Sequence, residues 1–282
     1  MFGDFPKAYR DPNSAQIAIL PVPYDGTSTY GKGADKGPAA LLAASYQLEN
    51  YNIETKTESY KHGICVEKPV TEKRSPEKMV AAVEKRVSEI LKKGKLCVVL
   101  GGEHSVTPGA VYAHAKHYNN LSVLQLDAHT DLRESFHGSK NNHACAMARV
   151  KGHKPVQVGI RSLDASELDT IDMSRVFFAK DIHDNDRWMD KAIAKLEKHV
   201  YITIDLDVFD PGIMPSTGTP EPGGLDWYRV ITFLKKVSEE RNIVGFDVVE
   251  LLPRKENPAP DFLAAKLVYT LISYIFVRKL PA

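Results

Sequence analysis

Residues 121–131 read LSVLQLDAHTD, a mostly apolar run that gives way abruptly to acid, imidazole and acid again. Leu121 to Leu126 has the composition of a strand covered by helices on both faces rather than one that wets a side. Seven other short runs share this character: Ile17 to Pro21, Gly63 to Val66, Leu96 to Leu100, Val156 to Ile160, Val176 to Ala179, Val200 to Ile204 and Ile243 to Val249. Helix-compatible segments lie between them. In one, Ser75 to Lys93, Ser75 is placed to cap and Pro76 to occupy the first turn. Alternation of this kind predicts an α/β fold, a three-layer sandwich around one open, mainly parallel sheet. Ligands bind such sheets beyond the carboxyl ends of the strands, near a switch in strand order. The chemistry is therefore expected directly after the strands.

The chain has 282 residues, and no linker, repeat or low-complexity segment divides it, so a single domain over 1–282 is expected. The Pro/Gly-rich stretch from Pro211 to Gly224 reads as a long loop after a strand. Basic residues number 37 against 36 acidic and are scattered, which gives no electrostatic footprint for nucleic acid or an anionic membrane. Cys65, Cys97 and Cys145 are widely spaced and odd in number, so free thiols in a reducing compartment are expected. The first sixteen residues carry Asp4, Lys7, Arg10 and Asp11 and lack the apolar core of a secretory signal. Leu267 to Val277 is apolar but interrupted by Thr270 and Ser273, and is too short to span a bilayer. These features predict a cytoplasmic protein with no membrane partner.

Three strand ends carry the chemistry. In DAHTD, Asp127, His129 and Asp131 recur every second residue, and alternate residues of an extended segment point the same way. In TIDLDVFDP, Asp205 and Asp207 close the run Val200 to Ile204, and two carboxylates so placed repel unless a cation neutralises them. In LGGEHS, His104 follows two glycines that permit a sharp turn at the sheet edge. Taken singly, each motif could be a cap, an exposed pair or a structural histidine. Together they offer two imidazoles and four carboxylates with no thiolate, a set that favours manganese over structural zinc. A pair of such ions turns a bridging water into hydroxide near neutral pH, so no Ser or Cys nucleophile is required.

GGEHS, DAHTD and DLDVFDP, in that order, resemble the three metal motifs of the ureohydrolases, a family that includes arginase, agmatinase, guanidinobutyrase and formimidoylglutamase. The resemblance covers nearly the whole chain and implies an arginase/deacetylase-like fold. It also implies two Mn2+ per subunit, one held by His104, Asp127, Asp131 and Asp205 and the other by His129, Asp127, Asp205 and Asp207. Glu250 in DVVELLP looks like the family glutamate that pairs with the guanidinium, a role suited to a carboxylate accepting paired hydrogen bonds. His143 looks like the loop histidine that shuttles protons, although Ala144 follows it where glycine is usual, and His137-Gly138 is a rival. Asp131 joins His143 and Glu250 as a catalytic residue, and Thr219 joins the latter two in substrate binding. The remaining histidines read as surface or core residues. A homo-oligomer, trimer or hexamer, is implied by the same likeness.

Arg133 stands where arginase-like members often place an asparagine for the amino acid end of the substrate. DLRES, the segment from Pro21 to Ala40, GIRS and GTPEPGG look more like agmatinase, which points to agmatine, split into putrescine and urea. Guanidinobutyrase and arginase remain alternatives, because Arg133 could meet a substrate carboxylate rather than stabilise a loop or pair with Glu134. GTSTYGKG, Gly26 to Gly33, fits most of a phosphate-binding loop but ends in glycine instead of a hydroxyl residue, and Gly37-Pro38 should interrupt a following helix. It reads as an entrance loop. A non-catalytic metal-binding oligomer is the rival class, opposed by the retention of every candidate ligand.

Overall fold

All eight apolar runs form strands in the computed structural model, which describes residues 1–277. They are β1 Ile17–Val22, β2 Ile64–Val66, β3 Leu96–Gly101, β4 Leu121–Leu126, β5 Val156–Ile160, β6 Val176–Phe178, β7 His199–Asp205 and β8 Asn242–Val249. Their order in the sheet is β2-β1-β3-β8-β7-β4-β5-β6, and every neighbouring pair is parallel. The sheet among the described residues is thus wholly rather than mainly parallel.

Both faces are buried, as the strand compositions require. In β1, Ile17 and Ile19 enter one core while Ala18, Leu20 and Val22 enter the other. One face is covered by α2 (Pro76–Leu91), α3 (Thr107–His117) and α4 (Ala146–Val150), through residues such as Val83, Val111 and Met147. The other is covered by α1 (Gly37–Ser45), α5 (Ala179–Ile182), α6 (Arg187–Ala194), α7 (Trp227–Glu240) and α8 (Ala259–Val277). The result is the three-layer α/β sandwich. Ser75 caps α2 as expected, its Oγ accepting from the Lys78 amide at 3.2 Å, a contact worth about 1 kcal/mol.

Two local expectations are corrected. Gly37 and Pro38 open α1 instead of interrupting a helix, because proline fits the first turn, where its missing N–H costs nothing. The apolar run at Leu267 belongs to a helix that begins at Ala259 and is 19 residues long, enough by length and composition to cross a bilayer. What marks α8 as a core helix is that 72% of that stretch is buried in the fold.

The strand order places the site. After β3 the chain skips two positions to β4, and β8 and β7 later fill the gap. The four central strands β3, β8, β7 and β4 are therefore contiguous. His104, Glu250, the Asp205–Asp207 pair and the DAHTD segment follow their carboxyl ends, at the crevice where strand order reverses.

Candidate metal centre

His104 lies in a 3-10 turn directly after β3, with Nδ1 2.9 Å from Asp131 Oδ2, 3.1 Å from Asp127 Oδ2 and 3.4 Å from Asp205 Oδ2. His129 Nδ1 is 3.0 Å from Asp207 Oδ2 and 3.6 Å from Asp127 Oδ1. There are thus two clusters, and Asp127 gives one oxygen to each. Strand alternation accounts for only part of this. Asp131 turns in with a left-handed φ of 52°, held there by the Met147 and Ala148 amides donating to its carbonyl at 3.0 and 3.1 Å. Asp207 sits in a 3-10 turn rather than on an extended strand end, and its amide donates to Asp205 Oδ1 at 2.9 Å.

The charges require a counter-ion. Asp127, Asp131, Asp205 and Asp207 are all buried, and among the described residues no Lys or Arg forms an ion pair with them. Burial together with Asp127 pushes the Asp131 carboxyl up to about 6. Burial, then Asp207 and Asp127, raises Asp205 well above the usual carboxylate range. His129 resists burial because Asp207 and Asp127 favour its charged form, pushing it up to about 12.

His104 supplies the sharpest test of a metal. The Tyr201 and Thr203 hydroxyls donate to buried Asp247 at 2.9 and 2.6 Å, and His104 Nε2 lies 2.9 Å from Thr203 Oγ1. Since the threonine proton is committed to Asp247, Nε2 carries the proton and Nδ1 presents its lone pair to three carboxylate oxygens. That buried Nδ1 has no hydrogen-bond partner. Without a metal, and against its burial, Asp127, Asp131 and Asp205 raise His104 well above its usual range, favouring a second proton on Nδ1; a divalent cation would take the place of that proton. Imidazole and carboxylate donors without thiolate fit hard or borderline divalent ions, manganese among them.

A cavity of about 260 Å³ opens over the clusters, and Glu250, His143 and Thr219 line it. Glu250 follows β8 with φ 65°, its amide donating to Gly102 at 2.8 Å and its Oε1 accepting from the His104 amide at 2.7 Å. A guanidinium would share Oε1 with that amide and find Oε2 towards Gly218, so the expected pairing is not with two free oxygens. His143 opens a 3-10 turn, and burial holds its imidazole down to about 4, which keeps it neutral at pH 7. Beside it, burial lifts the Glu103 carboxyl up to about 7. His137 is exposed and lines a different cleft, which separates the two rival histidines.

Arg133 also lines the cavity, but its guanidinium pairs with Asp164 at 3.1 Å and lies 4.5 Å over the Phe136 ring. The pairing with Glu134 weighed from sequence is not formed: Glu134 binds Arg149 at 3.0 Å and Lys151 at 2.6 Å. Ser28, Thr29, Tyr30 and Gly31 of the glycine-rich loop line the same cavity, in agreement with an entrance loop.

Residues 15–273 match the profile of the Arginase family. The chain belongs to the arginase family. It is 38% identical over 272 residues to the N(1)-aminopropylagmatine ureohydrolase of Synechocystis, an alignment covering 92% of this chain and 89% of that protein. It is 33% identical to the agmatinase of Pyrococcus horikoshii, covering 93% of each. The solved agmatine ureohydrolase of Thermoplasma volcanium superposes with a TM-score of 0.87 at 32% identity, over 95% of this chain and 92% of that one. This arginase-family protein is accordingly a ureohydrolase-type hydrolase, of a binuclear-metal enzyme class.

Several residues of this arginase-family site escaped the sequence reading. Thr203 and Asp247 orient His104 from neighbouring strands, where they face each other in register. A polar residue in an apolar strand is a signal, and Asp247 inside GFDVV is one, but its partner is known only once β8 is known to lie beside β7. Gln125 donates to Asp127 Oδ2 at 2.7 Å and accepts from Gln157 at 2.5 Å, and its place in the mostly apolar β4 is a hint of the same kind.

Proposed function

We propose that the protein hydrolyses the terminal guanidine of a cationic, agmatine-like substrate, releasing urea and an amine, with two manganese ions per chain. The observation that carries this reading is the pair of buried clusters joined through Asp127, with Glu250 facing the same cavity. His104, Asp127, Asp131 and Asp205 would hold one ion, and His129, Asp127, Asp205 and Asp207 the other. When bound, the ions lower the pKa of a shared water towards neutrality and supply the nucleophile.

The remaining work falls to the side chains. Glu250 holds the guanidinium by charge-assisted hydrogen bonds and so fixes its carbon over the clusters. His143, neutral before reaction, takes a proton and returns it to the departing amine. Thr219 bounds the substrate beside Gly218. Glu250→Gln should raise KM about 10- to 100-fold, as expected for losing a hydrogen bond to a charged group worth about 1.5–3 kcal/mol, with metal content unchanged. Steady-state kinetics with metal analysis checks this, and a wild-type KM would place the guanidinium elsewhere.

Agmatine itself is one substrate reading. The second is an agmatine extended by an aminopropyl group, favoured by the 38% identity to proteins named for that substrate. Guanidino acids are disfavoured because the Arg133 charge is already matched by Asp164. The experiment is urea release by manganese-loaded protein on agmatine, N(1)-aminopropylagmatine, arginine and 4-guanidinobutyrate side by side. Either cationic substrate should give the highest kcat/KM. A preference for a carboxylate-bearing substrate, or no urea from any, would overturn the reading. The same proposal sets the enzyme in a reducing cytoplasm as a homo-oligomer of three or six chains, in keeping with Cys65, Cys97 and Cys145 as buried free thiols.

A further inference from the structure

Thr27 belongs to the glycine-rich entrance loop, and Glu103 is the acidic residue of GGEHS, outside both metal clusters, yet the two side chains meet at His143. The Thr27 hydroxyl donates to Glu103 Oε2 in a short hydrogen bond, and the Thr27 amide donates to Glu103 Oε1 at 3.2 Å. Ser105 Oγ donates to Glu103 Oε1 at 2.8 Å, so the fully buried carboxylate is gripped from two sides. Thr27 Oγ1 then accepts from the His143 amide at 3.0 Å and lies 3.3 Å from His143 Nδ1, while Glu103 Oε2 is 3.6 Å from that same nitrogen.

The donor count decides what this does. A threonine hydroxyl has one proton, and towards the ionised Glu103 carboxylate it is donated to Oε2. Towards His143 the oxygen can only accept, so neutral His143 carries its proton on Nδ1. Nε2, on the opposite edge of the ring, is left as the basic atom for the cavity. With the hydroxyl proton turned the other way, Nδ1 would have to accept, Nε2 would carry the proton, and the ring could not take one from the reaction.

We propose that Thr27 and Glu103 are positioning residues that fix the tautomer and orientation of His143. This deepens the hydrolase reading of the same site and rests on it. Glu103 is buried and does not line the cavity; it acts by ordering the threonine proton, and Thr27 transmits that order while tying the entrance loop to the turn that bears His143.

The test is a double-mutant cycle on the manganese-loaded protein with the preferred guanidine as substrate. Thr27→Val, which keeps the shape and the backbone bond to Glu103, and Glu103→Gln should each lower kcat about 10- to 100-fold, the range for removing a group that orients a functional histidine. KM and metal content should stay near wild type, and Thr27→Ser should restore kcat. In a His143→Asn background, Thr27→Val should cost less than about twofold, because residues acting as one unit are not additive. A loss as large in that background as in the wild type would show a merely structural role and overturn the proposal while leaving the hydrolase reading intact. If His143→Asn alone leaves kcat unchanged, the reading and the proposal fall together. Because buried Glu103 is the riskier substitution for folding, the threonine pair decides the outcome alone if Glu103→Gln does not fold.

Discussion

Asp127→Ala is expected to lower urea release on the order of 1,000-fold or more, since metal ions contribute several kcal/mol of transition-state stabilisation and each 1.36 kcal/mol is tenfold. Bound manganese should fall below the proposed two ions per chain. Of the two carboxylates proposed to hold both ions, Asp205 lies 3.4 Å from His104 alone, whereas Asp127 offers Oδ2 to the cluster of His104 and Oδ1 to that of His129. The variant should still fold. Removing one of four buried like charges relieves repulsion when no metal is bound, against the loss of hydrogen bonds from Gln125 at 2.7 Å and the His129 amide at 2.6 Å. Asp127→Asn keeps an oxygen for one of those bonds and serves as the folding control. Metal analysis, thermal melting and the urea assay are read together. Wild-type turnover by both variants would remove Asp127 from the mechanism.

The strands were legible because burial on both faces writes itself into composition, and the eight runs differ from the observed strands by no more than a residue or so at their ends. The ligand motifs were legible because each follows a strand whose carboxyl end defines the crevice. What composition could not convey is how the chain turns there. Asp131 and Glu250 both reach the site through left-handed backbone at non-glycine residues, φ 52° and 65°, which periodicity does not encode. Asp127, His129 and Asp131 consequently divide between two clusters instead of converging on one point. Contacts across the chain were hidden for a different reason. Arg133 with Asp164, Thr203 with Asp247 and Thr27 with Glu103 are pairs whose members are 31, 44 and 76 residues apart, and strand order alone brings them together.

His143→Asn is expected to cost about 100- to 10,000-fold in kcat, the contribution of a positioned general acid or base. KM and metal content should change little. His143 lines the substrate cavity and lies outside both clusters, so its loss leaves the metal donors in place. Burial keeps it neutral before reaction, with its ordinary pKa of 6.5 lowered to about 4, so the ring enters the cycle able to accept a proton. Asparagine retains a polar group that can meet Thr27, but it has no basic nitrogen. His137→Asn is the matched control. That residue is exposed in a separate cleft, and its substitution should leave kcat within about twofold of wild type, as for surface changes away from a functional feature. A reversal, with His137→Asn inactive and His143→Asn active, would move the proton shuttle to the outer loop. It would require that loop to close over the cavity during turnover, because His137 does not line it.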